Sequence, residues 1–370
     1  MTQNSEIAVK GDRRFWVALN QVAGMAPAIF YRLVARFGNP EAVWKAPESD
    51  LAETLSTTQW IYDHLIELRK REDGSEEIAR CCKEGCMVSL LYEPDYPKPL
   101  RGIPVPPPVL YIKGEWKPED ERAVAMVGTR ECNGYGRRVA EDFSADLAKR
   151  GFTVVSGLAH GIDAMSHRGA LSAGGRTIAV KAVGIDVNYP SAHKKLAEDI
   201  AGQGALMSEF PLGMVADDLW RFHRRNRIIS GLALGTVVIQ AREKSGSMIT
   251  ANHAFEQNRQ VFAVPGDIFS PLAEGCHWLI RHGAYLAQSA DDIIEIIGGP
   301  TVQTEIDFNK APLEGNQAAV MGSLKNGPCH FDEICETTGL KAQEVATALL
   351  MLEMKGYARQ LPGKLYEAHR

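Results

Sequence analysis

The feature that most constrains the fold is a series of six short apolar segments that alternate with helical patterns. The segments are rich in β-branched residues and comprise 123–127, 153–155, 177–180, 205–207, 236–239 and 261–264. Stretches with helical periodicity separate them, for example 138–149, 194–200 and 248–258. Continuous apolar strands spaced by helices are typical of βαβ units, whose parallel sheet is buried on both faces. The pattern predicts an α/β fold with a doubly wound, Rossmann-like parallel sheet.

Different patterns flank this central part of the chain. Residues 1–78 show helical periodicity broken at 24–27 and 38–40, which predicts an N-terminal helical domain. A polar linker is predicted at 301–316, and three helical segments and a hairpin follow at 317–370, as in a winged helix. The sheet domain then covers 79–300, and its proline-rich run at 92–108 predicts an extended arm.

Composition excludes several classes of protein. The 370 residues are 45% hydrophobic and 24% charged, as in ordinary globular proteins. No window of about 20 residues is free of charge, and the first ten residues lack an apolar segment, which argues against a membrane span and a signal peptide. Seven irregularly spaced cysteines with no CxxC pair indicate reduced thiols in the cytoplasm. The net charge of −5 argues against a surface covered in basic charge.

The residues that follow each strand carry the functional information, because ligands of open α/β sheets bind at the carboxyl ends of the strands. The first strand ends in Gly128, Thr129 and Arg130, and the second in Ser156 and Gly157. Glycine lets backbone N–H groups approach an anion, and the following helix N-terminus favours negative charge. Tight turns need such residues in any case, but six such turns converge on one edge, which predicts an anion site.

Basic residues concentrate in two further segments. Residues 221–227 hold four arginines and no acid, and 193–195 open the helix after the third strand. One helix face cannot present all four arginines, so we expect some to line the crevice while others pack or form ion pairs. With Phe222 and Tyr189 available for stacking, the pattern suits single-stranded nucleic acid. The residues concerned are Arg221, Arg224, Arg225, Asn226 and Arg227, with His193, Lys194 and Lys195.

Metal and catalytic motifs are weak or missing. His160, Asp163 and His167 could face one way on a helix, which would allow a metal, but Asp163 is better explained as the cap of the following helix. The sequence has no HExxH motif, no Walker A loop, no GxGxxG after a strand and no GxSxG elbow. We therefore predict a protein without metal, cofactor or catalytic residues.

Seven segments, in order along the chain, resemble the DprA/Smf family, the bacterial DNA-processing protein A of natural transformation. They cover most of the sheet domain, and such a set is highly specific. The N-terminal part resembles the sterile-alpha-motif-like domain of many members, and the C-terminal part the winged helix of others. The segments are VGTR (127–130), SGLAHGIDAMSH (156–167), GIDVNYP (184–190), GALMSEFP (204–211), RRNRIISGLA (224–233), SGSMITANHAFEQNRQVFAVPGD (245–267) and LIRHGA (279–284).

The resemblance implies a dimeric, non-enzymatic protein of the cytoplasm that binds single-stranded DNA, protects incoming strands and loads the recombinase RecA onto them. It implies a homodimer and no membrane association. The family's DNA pocket carries over onto Arg130, onto His193, Lys194 and Lys195 after the Tyr-Pro motif, and onto 225–227. This chain departs from the family where Lys181-Ala-Val-Gly184 replaces the usual apolar-Gly-Cys-Gly, and where His193 replaces an asparagine.

Two other functions stay open at this point. A nucleotide-processing hydrolase of the phosphoribohydrolase type has a similar sheet edge, and Glu209 would be its acid or base. Against it, the Pro265-Gly266 loop lacks the Gly-Gly-x-Gly-Thr continuation of those enzymes. A scaffold for recombination proteins, with only incidental DNA contact, is the other alternative.

Overall fold

We analysed a computed structural model of the chain, which describes residues 11–215, 218–298, 315–324, 328–354, 358–361 and 365–368. The chain divides into two compact units, Met1–Gly299 and Pro300–Arg370. The separation of a helical domain at 1–78 from a sheet domain at 79–300 stays a prediction. Most of the predicted linker (301–314) and the Pro362-Gly363 turn of the predicted hairpin lie outside the described residues.

Six helices begin the first unit, and local sequence signals set their ends. Asp12 and Asn39 accept hydrogen bonds at the N-termini of α1 and α3, and Gly38 ends α2 at a φ of 97°. The breaks predicted at 24–27 and 38–40 therefore fall where helices end. The helices are α1 (Arg13–Gln21), α2 (Pro27–Phe37), α3 (Pro40–Lys45), α4 (Glu48–Thr54), α5 (Gln59–Arg69) and α6 (Ser75–Lys83).

A nine-stranded sheet follows, and all six predicted strands are part of it. The strands are β1 (Cys86–Leu90), β2 (Val109–Gly114), β3 (Ala123–Val127), β4 (Thr153–Ser156), β5 (Thr177–Val180), β6 (Ala205–Ser208), β7 (Gly235–Val238), β8 (Gln260–Ala263) and β9 (Tyr285–Leu286). Their order is β1-β2-β6-β5-β4-β3-β7-β8-β9. β3 to β9 are parallel, whereas β1 and β2 extend the β6 side of the sheet in antiparallel pairing. The predicted doubly wound α/β fold is confirmed.

The chain order reverses between β3 and β7, which makes their carboxyl ends the topological switch point of the sheet. Helices cover both sheet faces, and strand residues such as Val124 and Ala125 alternate between the two cores. The helices that alternate with the strands are α8 (Gly134–Lys149), α9 (Ile162–Ser172), α10 (Lys194–Gln203), α11 (Leu219–Leu232), α12 (Gly246–Glu256), α13 (Glu274–Arg281) and α14 (Ala290–Ile297). One face of the sheet packs against α11, α12 and α13, and the other against α8, α9, α10, α14 and the N-terminal helices.

The extended arm predicted for 92–108 is wrong. The run makes turns and a short helix, α7 (Lys98–Arg101), whose Leu100 is buried beside Tyr96 and Ile103. Pro99 is tolerated there because the first turn of a helix has no intrahelical partner for its backbone nitrogen. Short 3₁₀ helices also occur at Pro118–Glu121 and Ser191–His193.

The second unit has three helices and a three-stranded antiparallel sheet in the order β10-β12-β11. Val320, Ile334 and Leu349 are buried in its own apolar core. This arrangement confirms the predicted winged helix, although β10 was not predicted. The elements are α15 (Asn316–Ser323), β10 (Cys329–His330), α16 (Phe331–Thr338), α17 (Ala342–Met354), β11 (Ala358–Leu361) and β12 (Leu365–Ala368).

Within the described ranges, every helix is too short or too polar to cross a lipid bilayer.

Candidate nucleic-acid interface

The loop after β3 presents Arg130 at the switch point. The Thr129 N–H donates to the Gln240 carbonyl at 2.7 Å, and the Ile162 N–H donates to the Thr129 carbonyl at 3.2 Å. A Cβ on Gly128 would lie 2.5 Å from the Ile162 side chain, so only glycine fits this approach. The loop is therefore fixed between β7 and α9, while the Arg130 side chain is exposed.

A crevice of about 280 Å³ opens beside Arg130. Two aromatic rings stand in its wall: the Arg130 guanidinium lies 5.2 Å from the ring centre of Phe222, and the Tyr189 ring lies 5.7 Å from the same ring. We call this cavity the Arg130 crevice, and its lining consists of Arg130, Gly157, Ala159, His160, Lys181, Ala182, Asn188, Tyr189, Pro190, Ser191, Phe222 and Arg225. A cation beside two stackable rings combines the groups that phosphates and unpaired bases contact.

Arg225 forms the inner wall of the Arg130 crevice. It is 5% exposed, and its Nη1 donates to the Gly157 carbonyl at 2.6 Å and to the Val180 carbonyl. Burial lowers the pKa of Arg225 to about 10, so the group stays charged at neutral pH. A Cβ on Gly157 would lie 2.5 Å from the Arg225 Nη1, which explains the glycine. Arg225 thus supplies a fixed positive charge beneath the exposed Arg130.

Two other arginines of α11 face away from this cavity. Arg224 and Arg227 both pair with the Glu209 carboxylate, the Arg224 Nη2 at 2.9 Å, and Glu209 is 1% exposed. The Arg224 Nη1 also donates to the Met25 carbonyl at 3.1 Å, and the Asn20 side chain donates to the Glu209 carbonyl at 3.1 Å. The N-terminal part of the chain is thus bonded to α11 through Met25 and to the segment after β6 through Asn20.

The helical spacing explains this division. Phe222 and Arg225 are three residues apart and share one face of α11, whereas Arg224 and Arg227 share another. The hydrolase alternative finds no support at Glu209, because its carboxylate is buried between two guanidinium groups and does not line the Arg130 crevice.

The remaining predicted site residues lie around the crevice or outside it. His193 is buried and its Nδ1 lies 2.9 Å from the Leu158 carbonyl oxygen, whereas Lys194 is exposed and Lys195 pairs with Asp199 at 2.8 Å. The Ser156 hydroxyl donates to the Met126 carbonyl at 2.6 Å. Arg221 donates to the Val215 carbonyl, and Asn226 donates to the Gly246 carbonyl at 3.2 Å. Their part in binding DNA stays a prediction.

The cap predicted for Asp163 is wrong in detail. Its carboxylate accepts from the backbone N–H groups of Gly157 and Ala159, at 3.1 and 3.3 Å, and so it stabilises the loop before α9 rather than the helix. His167 is fully buried, its Nδ1 lies 2.7 Å from the Thr177 hydroxyl, and burial lowers its pKa to about 3. Among the described residues there is no cluster of three metal-binding side chains.

Sequence reasoning missed Lys181, whose ammonium donates to the carbonyls of Ile185 and Val187 at 2.8 and 2.6 Å. These bonds close the loop that carries Tyr189 into the crevice. The departure from the family pattern at 181–184 was the available signal, because a lysine at a strand end must find a partner if it is buried.

The Lys181 ammonium should make stability depend on pH. Burial lowers its pKa from 10.5 to about 8, against the opposing effect of Asp186 and with smaller contributions from Lys113 and Cys86. Between these two values the unfolded chain binds more protons, so stability should rise with pH. We expect the free energy of unfolding of the wild type to rise, relative to Lys181→Met, from pH 8 to pH 10.5. Urea titrations at several pH values measure it, and parallel curves would contradict the burial of a titrating lysine.

Comparison with known proteins identifies the family. The family model for DNA recombination-mediator protein A matches residues 87–298, and the model for the DprA winged helix domain matches residues 307–364. The chain belongs to the DprA/Smf family. The Smf protein of Synechocystis sp. is 32% identical over 393 residues, which cover 96% of this chain and 98% of that protein.

Two solved structures of DprA proteins resemble this chain. DprA from Streptococcus pneumoniae is 32% identical, with a TM-score of 0.65 over 76% of this chain and 97% of that one. DNA processing protein A from Helicobacter pylori is 28% identical, with a TM-score of 0.52 over 57% of this chain and 95% of that one. The latter structure concerns that protein's single-stranded DNA binding mode.

Proposed function

We propose that this DprA/Smf protein binds single-stranded DNA in the Arg130 crevice. The observation that carries the proposal is the Arg130 guanidinium 5.2 Å from the Phe222 ring, with Tyr189 alongside, at the carboxyl edge of the sheet. The cation suits a phosphate, and the rings suit unpaired bases, which a duplex keeps stacked within itself. The single-stranded DNA binding of the Helicobacter pylori relative supports the same function.

The charge balance favours a small contact in each subunit. With a net charge of −5 in the whole chain, the positive groups that face the DNA are few and contact only a few phosphates.

A homodimer would add avidity by linking two such sites. The exposed edge strand β9, with Tyr285 and Leu286 44% and 45% exposed, supports association through that edge. Sedimentation equilibrium that yields the monomer mass at micromolar concentration would overturn the homodimer.

Removal of the Arg130 charge should weaken binding to single strands of any sequence. For Arg130→Ala we expect a lower affinity. We also expect the slope of the logarithm of the binding constant against the logarithm of the salt concentration to be shallower by about 0.7, because the loss of one phosphate contact releases fewer counterions. Fluorescence anisotropy with labelled oligothymidylate at several salt concentrations measures both quantities, and a duplex of equal length tests strand preference. The control is Arg71→Ala, which removes a surface arginine paired with Glu67 outside the crevice. Unchanged affinity in Arg130→Ala would overturn the site.

The biological role we propose is protection of incoming single strands in the cytoplasm during natural transformation and loading of RecA onto them. The protein acts there as a binding protein and not as an enzyme. The family membership supports this role, and the winged helix is the part that we assign to a protein contact, because its net charge is not basic.

Loading should depend on the crevice. On single strands coated by single-strand binding protein, we expect the wild type to shorten the lag of RecA filament assembly. With Arg130→Ala, we expect the same lag as in a reaction without this protein. RecA ATP hydrolysis on coated DNA reports the lag. If Arg130→Ala accelerated assembly as well as the wild type, the scaffold alternative would be correct instead.

A further inference from the structure

A second cavity lies next to the Arg130 loop, at the carboxyl ends of β7 and β8. Its volume is about 570 Å³, within the range of small-molecule pockets. Its wall contains Gln240, whose backbone carbonyl accepts the Thr129 N–H at 2.7 Å, so this cavity lies beside the loop that carries Arg130. This cavity thus occupies the β7 side of the switch point, whereas the Arg130 crevice occupies the β4 and β5 side.

The walls of the second cavity suit a flat, weakly polar group. Ile239, Val264 and Leu272 give it apolar surface. Tyr135 stands at its edge, 47% exposed, and its hydroxyl donates to the Pro265 carbonyl at 2.8 Å, which fixes the position of the ring. A ring held in this way loses little conformational entropy when another ring stacks on it.

The loop that closes this cavity carries two apolar side chains in water. Ile268 is 77% exposed and Phe269 is 87% exposed. Neither lines the cavity, but both belong to the loop 265–273, most of whose other residues do. Large apolar side chains that stand together in solvent mark interaction sites. An exposed phenylalanine beside the edge proposed to bind single strands offers a ring face on which a base can stack.

The polar groups of the cavity favour a base over a phosphate. Its lining contains no lysine, arginine or histidine, and Asp267 adds a carboxylate that would repel a phosphate. Gln240 is occupied, since its Nε2 donates to the Asn133 Oδ1 at 2.9 Å. The Asn133 Nδ2 has no acceptor among the described residues. Its two N–H groups are therefore available to the carbonyl oxygens and ring nitrogens that bases present.

We propose that this cavity binds a second unstacked nucleobase of the same DNA strand, with Phe269 and Tyr135 as its stacking partners and the Asn133 amide as its donor. The proposal rests on the proposed function, since Arg130 would hold a phosphate between the two bases. The protein would thus bind a single strand through two separated, unstacked bases. A duplex would have to unpair before its bases could bind in this way.

The test compares Phe269→Ala with Phe255→Ala in the full-length protein. Phe255 lies in the last turns of α12, at the opposite end of the sheet, and is 39% exposed. For Phe269→Ala we expect about 5- to 150-fold weaker binding of oligothymidylate with the salt dependence unchanged, because a base contact is lost and no phosphate contact. We expect Phe255→Ala to bind like the wild type.

A scan with single abasic sites locates the base. In the shortest oligothymidylate that binds with full affinity, we expect an abasic substitution to weaken wild-type binding at two separated positions. At one of these positions, the same substitution should no longer lower the affinity of Phe269→Ala. Unchanged affinity in Phe269→Ala and Tyr135→Ala, with weak binding in Arg130→Ala, would overturn the second site and leave the proposed function intact.

Two further results would give the cavity or its loop a different role and so overturn the proposal. Thymidine that saturates the cavity without competing with the oligonucleotide would identify a free nucleoside as its ligand. A lower sedimentation mass for Phe269→Ala, with DNA affinity per subunit unchanged, would identify this surface as a contact between copies. Failure of Arg130→Ala to weaken binding would instead overturn the proposed function itself.

Discussion

Glu209→Ala should lower the free energy of unfolding by about 3–5 kcal/mol, since it leaves two buried guanidinium groups without their counter-charge. The Glu209 carboxylate is 1% exposed and holds Arg224 and Arg227 in place, and both of these are about one-tenth exposed. Its loss would also leave Arg224 less firmly held, and with it the bond from α11 to the Met25 carbonyl. Urea denaturation followed by circular dichroism measures the change.

The matched control is Glu53→Ala, which removes a carboxylate from a pair with Arg36 at the surface. The Glu53 side chain is 72% exposed, so we expect a change of less than about 1 kcal/mol. Equal changes in the two variants would show that the buried pair contributes no more than a surface one. We also expect Arg227→Ala to lose stability and, through displacement of α11 with its Phe222 and Arg225, DNA binding as well. Arg130→Ala should lose only DNA binding, because Arg130 is exposed.

Phe222→Ala should weaken the binding of single strands by about 5- to 150-fold without changing the salt dependence. The ring lies between the Arg130 guanidinium and Tyr189, so its loss removes a stacking surface and releases the arginine. Anisotropy with labelled oligothymidylate measures the affinity, and Tyr189→Phe, which keeps its ring, should bind like the wild type.

The double variant with Arg130→Ala tests whether these side chains act together. Because the guanidinium and the ring are in contact, we expect the double variant to lose less affinity than the two single losses combined. Fully additive losses would mean that Arg130 and Phe222 contact DNA independently. An unchanged affinity in Phe222→Ala would show that the rings of the crevice are not used for stacking.

Much of the central sheet could be predicted from sequence. Segments such as 123–127 and 261–264 are apolar throughout, because a strand covered on both faces has no polar side, and this pattern needs no knowledge of neighbours. β1 and β2 were missed because the proline-rich residues between them suggested an extended arm. In the structure Tyr96, Leu100 and Ile103 of that run are buried against α11, a contact that only the folded chain makes.

The candidate site was predictable only in part. The positions of Arg130 and Gly157 follow from the rule that strand ends meet at one sheet edge. The four arginines of 221–227 look alike in sequence, and their separation into crevice and core depends on Glu209, Gly157 and Val180, which are distant in the chain. For Lys181 the sequence offered only the departure from the family pattern at 181–184, because its acceptors are carbonyl groups that a loop turns toward it.

The sequence by itself determined the fold class and the family and pointed to the edge of the sheet proposed to bind DNA, because hydrophobic periodicity and motifs are local properties of the chain. The tertiary structure alone decided which cations face solvent and which are buried in ion pairs. The physical reason is that burying a charge is costly unless a partner is at hand, and the partners come from other strands and helices. The same packing formed the second cavity from α8, β7 and the loop after β8, which are far apart in sequence.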